Sequence, residues 1–425
     1  MRKQNSMFLK HKAERIVIVM GILLLGLIIV FMSQGVLAAD LYVGTDEPYQ
    51  SIQDAINASS EGDTIYINES LISEGNITVN QSVTIKNNGS VNPVIDTMCM
   101  HGFNITVDNV TIQNITINNG TFGWGVRVYN YTTPSNVLEG IILDNLNVNN
   151  SMFGIVFDNA TSCNVTNCNI ENSSVCGISI GYKQWILSQY SHCSYINISH
   201  CTISQTVHNQ SGPGINLYNS SYCTISNSTI YNMSYDTGGP LSYGIEILIS
   251  DFNNFVDNNV SSCDISGINI ALSDNNTIRS NDIFNNTDYD PSRPELSWGI
   301  ILQGCCNNTI TENNVSYSEF GINLTTCQGI SSENNTVYHN SIYSNSILNG
   351  FDNCSNNNWN STTVNEGNYW GDYAGTDSDG NGMGDTAYSI AGGSSQDLYP
   401  LFYNYDSYGS VTNLDTSEVF LTIQN

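Results

Sequence analysis

From residue 154 to residue 324 the chain returns repeatedly to one arrangement, a glycine followed by alternating apolar and polar residues: GIVF at 154, GISI at 177, GINL at 214, GIEI at 244, GINI at 267, GIIL at 299 and GINL at 321. The tightest separations are 23 residues, from 154 to 177 and from 244 to 267, and 22 residues, from 299 to 321. A period of that length marks stacked units, none of which buries its apolar face by itself. Within a unit the alternation has period two, so Ile178 and Ile180, Ile268 and Ile270, or Ile322 and Leu324 point the same way, as in a strand. The apolar stretches are too short for helices. Each unit holds three of them, as Ile268/Ile270, Ile278 and Ile283 show, separated by DNN and SND. Three short strands and three corners make one coil on which the next stacks in parallel, and about ten to twelve coils are predicted at about 4.8 Å each.

Asparagine, about one residue in seven, belongs to the same pattern. At corners it tolerates a left-handed backbone and bonds locally through its amide. Asparagines stacked in successive coils also bond to one another as a ladder. The repeat glycines are expected to mark corners that a side chain would obstruct. The open ends of such a coil need cover. YQSIQDAINASSEGDTIYI supplies it on the N-terminal side: Ser51 N-caps a short helix whose Ile52, Ala55 and Ile56 face one way, and Gly62 turns the chain into the strand TIYI.

Charge narrows the function. Of ten Lys and Arg, five (Arg2, Lys3, Lys10, Lys12, Arg15) precede the apolar run IVIVMGILLLGLIIVFM, which ends near the small residues Ala38 and Ala39. That order reads as a secretory signal, with an uncleaved membrane anchor as the alternative, and either places the remainder outside the cytoplasm. Lys86, Lys183, Arg127, Arg279 and Arg293 are the remaining cations against a net charge of -28. Nucleic acid is excluded as a partner, because phosphate neutralisation needs clustered Lys and Arg, and polyanionic glycans are disfavoured likewise. More than two dozen N-x-S/T triplets, as at Asn76, Asn104, Asn164, Asn227 and Asn323, offer glycan acceptors in an exported chain.

The opening YQSIQDAINASSEGDTIYI, the Gly-Ile and Asn-Asn repeats, and above all NYWGDYAGTDSDGNGMGDTAYSI running to DLYPL resemble NosD-like proteins, over roughly residues 41–402. The resemblance implies a right-handed parallel β-helix of the pectin-lyase type, a fold common among archaeal surface proteins. It also implies a link to copper, because the best-studied members assist copper-site maturation in a periplasmic reductase. The expected organisation is a leader or anchor (1–39), an N-terminal cap (40–66), the repeats (67–358), a closing cap with an acidic loop (359–402) and a tail (403–425).

Three groups of residues could carry chemistry. In DSDGNGMGD, the side chains of Asp377, Asp379, Asn381 and Asp385 and the carbonyl of Met383 alternate with glycines, a composition that suits structural calcium; water-bound acidic loop is the plain alternative. Among twelve cysteines, Cys168 and Cys201 each stand two residues before a strand isoleucine, and Cys163, Cys193 and Cys223 form a second series. Stacked coils bring matching Cα atoms within disulfide range, so Cys168–Cys201 is the expected bridge, followed by Cys193–Cys223. SHCSYINISHC offers a rival use, copper or zinc on His192, Cys193, His200 and Cys201, in a spacing that matches no standard zinc site.

The third group lies in insertions just before repeat glycines and in GYKQWILSQYS. They carry Trp185, Tyr190, Tyr235, Tyr243, Tyr289 and Trp298 with Asp236, Asp288, Asp290 and Glu295. Flat rings beside carboxylates suit neutral sugars, although the same rings could pack on the coil beneath. The cations form no cluster of the kind a polysaccharide lyase needs, and no catalytic motif of a hydrolase stands out. The expectation is an exported, non-catalytic scaffold that binds carbohydrate or a cell-surface protein. A polysaccharide-active enzyme and NosD-like copper handling are the alternatives.

Overall fold

The computed structural model describes residues 38–90, 92–120, 122–129, 136–181, 192–205, 212–233, 242–287, 297–361 and 363–404. The main unit begins at Asp40. No helix among the described residues is long and apolar enough to cross a membrane.

The period-two stretches form strands, and the coils stack as a parallel β-helix. The unit around residue 267 contributes Ser266–Ala271, Thr277–Arg279 and Asp282–Phe284. Among the described residues, the first of these columns is an eleven-stranded sheet from Ile77–Val79 to Leu348–Asp352. The other two columns meet across two-residue corners, as at Ser280-Asn281, and together form a 22-stranded sheet. Register follows the glycine alignment: Ile245 pairs with Ile268, Ile268 with Ile300 and Ile300 with Ile322, all in parallel. Those isoleucines, with Ile278, Ile310, Ile283 and Val315 opposite, are fully buried. Burying each such side chain contributes about 1.5–3 kcal/mol, and the contribution recurs in every coil.

The helix Ile52–Ala58 covers the N-terminal side as expected: Ser51 Oγ accepts from Asp54 N at 3.0 Å, and Ile52, Ala55 and Ile56 are buried. The Glu74 carboxylate accepts from Ile52 N (2.7 Å) and Gln53 N (2.9 Å), which satisfies two N–H groups that the first turn leaves open. The Gln53 amide accepts from Thr78 N at 2.7 Å and donates to Thr78 O at 3.1 Å, so it imitates a neighbouring strand at the free edge of Ile77–Val79.

Each Asn-Asn pair divides two tasks. In Asn275-Asn276 and Asn307-Asn308 the first residue turns the corner with φ of 58° and 57°, and the second points inward, fully buried. The inward residues form ladders. Asn281 Nδ2 donates to Asn313 Oδ1 at 2.9 Å, Asn313 Nδ2 to Asn340 Oδ1 at 2.9 Å and Asn340 Nδ2 to Asn368 Oδ1 at 2.9 Å, while each backbone N–H donates to the same oxygen as its own side chain. A parallel ladder runs Asn253, Asn276, Asn308, Asn335 and Asn357.

The repeat glycines correct one expectation. They do not turn corners: Gly154, Gly177, Gly214, Gly244, Gly267, Gly299 and Gly321 have no left-handed φ and belong to the first column of strands or its edge. A Cβ on Gly177 would stand 2.5 Å from both Gly214 O and Ile203 Cγ2, so close approach between coils and to the opposite sheet excludes any side chain.

Candidate functional site

Residues between the inward isoleucines of the eleven-stranded sheet face away from the core. Register places Asn104 beside Arg127, Arg127 beside Val156, and Val156 beside Ser179. Asn216, Glu246 and Asn269 follow, then Ile301 and Asn323. Part of this outer face is buried, with Val156, Ser179, Asn269, Ile301 and Asn323 all at most 6% exposed, whereas Asn104, Asn216 and Glu246 are half-buried.

The face has an apolar and cationic end. Phe153, Val156 and Cys176 form a hydrophobic cluster apart from the main core, with Trp124 and Met152 packed on it. The Arg127 guanidinium lies 4.6 Å from the ring centres of both Trp124 and Tyr129, and its Nη2 donates to Asp158 Oδ2 at 2.7 Å. His101 stacks on Trp124 at 3.8 Å; burial, then the nearby Arg127 charge, lower its pKa.

The middle is polar. Asn216 Nδ2 donates to Glu246 Oε2 at 2.8 Å. Burial pushes the Glu246 carboxyl above its ordinary pKa, and the Asn216 bond offsets part of that rise. Gln303 Nε2 donates to Asn269 Oδ1 at 3.1 Å. Ser266 Oγ, Asn323 Oδ1 and Asn104 Oδ1 are buried with no hydrogen-bond partner. Unpartnered buried polar atoms call for a partner such as an ordered water, an ion or a ligand. Among the described residues of this register column, Glu246 is the single carboxylate.

Two predicted ligand-binding residues frame this face. Tyr243 and Trp298 open the strands Tyr243–Leu248 and Trp298–Gln303 and share one register position, with Ser266 between them. Tyr243 is buried, and the Trp298 ring lies 6.1 Å from Phe320. Trp185, Tyr190, Tyr235, Asp236, Asp288, Tyr289, Asp290 and Glu295 lie outside the described residues. Asn216 and Glu246 were missed from sequence, because a polar residue between two isoleucines reads as a solvent-facing strand position.

The acidic loop folds onto its own backbone. Asp377 accepts from Asn381 N (3.1 Å) and Gly382 N (3.0 Å), and Asn381 Nδ2 donates to Asp379 Oδ2 at 3.0 Å. Asn381 Oδ1 accepts from Met383 N at 2.8 Å, and Asp385 Oδ2 accepts from Ser378 Oγ at 2.6 Å, from Ser378 N and from Thr376 Oγ1. The Ser378 hydroxyl is the main cause holding Asp385 below its ordinary pKa. Met383 bridges to Leu401, which ties the loop to the closing segment. The calcium expectation gains no support from this arrangement.

The closing cap is built on carboxylates instead. Asp397 Oδ2 ends one asparagine ladder, accepting from Asn368 N (2.7 Å) and Trp370 Nε1 (2.8 Å), and burial raises its pKa to about 6. Asp352 ends the other, accepting from Asn357 Nδ2 (3.2 Å) and Trp359 Nε1 (3.0 Å). Tyr388 stacks on Trp370 at 4.2 Å, whereas Leu398 is 53% exposed.

Several cysteines, Cys201 and Cys223 among them, occupy the same inner corners as the ladder asparagines. Cys201 N donates to Ser228 Oγ, Ser228 N to Asn258 Oδ1 and Cys223 N to Asn253 Oδ1. Cys, Ser and Asn therefore alternate in one structural role, a small acceptor beneath the next coil. Register sets Asn169 against Thr202, so Cys168 and Cys201 are neighbours, and both are thiols. Their mutual hydrogen bond, then burial, raises the Cys168 pKa. Cys193 stands opposite Ser220, three residues out of step with Cys223, because its coil pairs through the short four-stranded sheet. Burial pushes Cys193 and Cys223 to about 12. Cys193 and Cys201 point into the core while His192 and His200 are exposed, so the four do not converge. Among the described residues, no three His, Cys, Asp or Glu gather in a way that could hold a metal ion.

Residues 185–375 match the family described as periplasmic copper-binding protein (NosD). The described residues do not fit a copper site. No curated protein matches the sequence. Among solved structures, the GH136 lacto-N-biosidase from Eubacterium ramulus is similar over 79% of this chain and 67% of that one, at 14% identity and a TM-score of 0.56. The A-module of the Azotobacter vinelandii mannuronan C-5 epimerase AlgE6 is similar over 76% and 94%, at 12% identity and 0.53. The Dettilon tailspike protein follows over 78% and 68%, at 13% identity and 0.50. At such identities the likeness shows a shared fold and nothing about activity. The coil architecture is that of a parallel β-helix, and residues 185–375 of it are similar to the NosD family.

Proposed function

We propose that the protein is an exported, non-catalytic scaffold that binds a neutral oligosaccharide along the outer face of the eleven-stranded sheet. The observation that carries this reading is the half-buried Asn216–Glu246 pair, which shares its face with the unpartnered Ser266 Oγ and Asn323 Oδ1. Sugar hydroxyls both donate and accept, so successive residues of an oligosaccharide can serve the carboxyl and the orphaned oxygens on different coils. Tyr243 and Trp298 supply aromatic surface at the entrance to the same strands. The family's periplasmic description and the basic-then-apolar leader support export.

Glycosidic hydrolysis needs two carboxylates about 5–10 Å apart. Among the described residues Glu246 has no such companion in its register column, and Asp158 is held by Arg127. A binding role is therefore favoured over turnover. The deciding experiment is a glycan array with reducing-sugar assay on wild type, Glu246→Gln and Glu246→Ala. Glu246→Ala should weaken binding at least about tenfold, the worth of one hydrogen bond to a charged group. Glu246→Gln, which keeps an acceptor for Asn216, should lose less, and no reducing ends should appear. Released product would replace the scaffold with an enzyme; unchanged binding by Glu246→Ala would move the site elsewhere.

A further inference from the structure

One corner of the coil changes character along its length. The residues Ser162, Tyr195, Tyr222, Phe252, Asn275 and Asn307 follow one another coil by coil, all with φ between 53° and 60°. The succession is fixed by backbone bonds: Tyr195 N donates to Ser221 O, Tyr222 N to Asp251 O, Phe252 N to Asp274 O and Asn275 N to Cys306 O. Asparagine suits such a backbone; a bulky ring there is an outlier. Yet three rings stand in succession, 58%, 48% and 46% exposed. They stack face to face, with centroids 5.2 Å apart for both Tyr195–Tyr222 and Tyr222–Phe252 and interplanar angles of 10° and 8°. Stacking explains why the rings tolerate one another. It does not explain why they face water.

The next member of the column supplies a reason. Asn275 is exposed and its side-chain amide makes no hydrogen bond among the described residues. It opens Asn275-Asn276-Thr277, an N-x-T acceptor. Asn276 is buried in the ladder, and Thr277 begins the strand Thr277–Arg279 with its side chain half-buried on the outer side. One face of Phe252 meets Tyr222 and the other is turned toward Asn275, one coil on. We propose that Asn275 carries an N-linked oligosaccharide whose first sugar continues the aromatic stack by laying its apolar C–H face on Phe252.

The donor is a lipid-linked oligosaccharyl diphosphate, used by a separate transferase during export. Asn275 Nδ2 attacks the anomeric carbon, the new N–C bond forms, the C–O bond to the diphosphate breaks with its electron pair, and the amide proton passes to a base. The fold by itself accounts for the N-N-T triplets at Asn275, Asn307 and Asn334, since corner, ladder and strand each favour those residues. It does not account for the rings beneath the first of them. The proposal is independent of what the sheet face binds.

The test is site-resolved mass spectrometry of the protein exported by its own cell, with melting temperatures of Thr277→Val, which removes the acceptor motif, in wild-type and Phe252→Ser backgrounds. Sugar on Asn275 is expected, together with a loss of about 2 °C on Thr277→Val in wild type that shrinks or vanishes in Phe252→Ser. An unmodified Asn275 peptide overturns the proposal. So does an equal loss in both backgrounds, which would leave the sugar without contact to the ring.

Discussion

At the scale of single residues, the two asparagines of a repeat differ sharply in what their removal costs. Asn313 receives Asn281 N and Nδ2 on its carbonyl and sends its own amide to Ile278 O and Asn340 Oδ1, all in a dry interior. Asn313→Ala strands several buried groups at once, so a loss of about 3 kcal/mol is expected in chemical denaturation. Asn307 meets only the corner requirement, φ 57° with its side chain exposed. Asn307→Gly should change stability by a few tenths of a kcal/mol, whereas Asn307→Val should cost about 1–2 kcal/mol, since only the latter opposes the left-handed backbone. Equal effects of Asn313→Ala and Asn307→Gly would refute the division of labour. The sequence announces that division through the Asn-Asn pairs, because corner and ladder both demand an amide. It does not announce that cysteine fills the same role, a thiol beneath a backbone N–H, as where Ala160 N donates to Cys193 Sγ at 3.4 Å.

At the scale of elements, the closing cap joins the two ladders to carboxylates, and this makes its stability depend on pH. Burial raises Asp397 from 3.8 to about 6, so between those values the folded state binds a proton that the unfolded chain does not. Its contribution is therefore greatest below about pH 4, falls as pH rises toward 6 and stays lost above; the difference is up to about 3 kcal/mol. Asp397→Asn should flatten the melting-temperature profile between pH 4 and 6. Near pH 7 it should hold stability roughly level, because the relief of a buried charge offsets the acceptor lost to Tyr399 N. Asp397→Ala should destabilise at every pH, since Asn368 N and Trp370 Nε1 both lose their acceptor. A profile that keeps its slope in Asp397→Asn would assign the titration to another group, and Glu246, raised in the same direction, is the first to examine. Little of this cap was legible in advance. The resemblance marked residues 359–402 as a closing cap, but that Asp397, 27 residues beyond Trp370, would meet its indole is a tertiary fact. The repeat glycines belong to the same class, because the obstruction that selects them lies on other coils.

At the scale of the whole coil, contacts run between neighbours in the stack, so each coil behaves as an exchangeable module whose removal costs about one interface and leaves the others intact. Phe255 and Ile278 are register partners, and so are Asn254 and Thr277. Deleting residues 255–277 joins Asn254 to Ile278 and brings the inward and outward faces back into phase. Asn253 then stacks beneath Asn308, and Ser228 beneath Asn281, so both ladders stay continuous. The shortened protein should keep its strand signal per residue in circular dichroism and unfold in one cooperative step at a modestly lower temperature. Deleting residues 255–265, roughly half a coil, puts inward isoleucines opposite the wrong column and breaks both ladders. That variant should lose cooperative unfolding altogether. If both deletions behaved alike, vertical register would not be what specifies the fold. The glycine alignment makes this experiment designable from sequence, because inward isoleucines repeat wherever a coil closes. The insertions before Gly214, Gly244 and Gly299 lengthen a coil without moving its neighbours, since the Ile178–Ile215, Ile215–Ile245 and Ile268–Ile300 pairings persist across them.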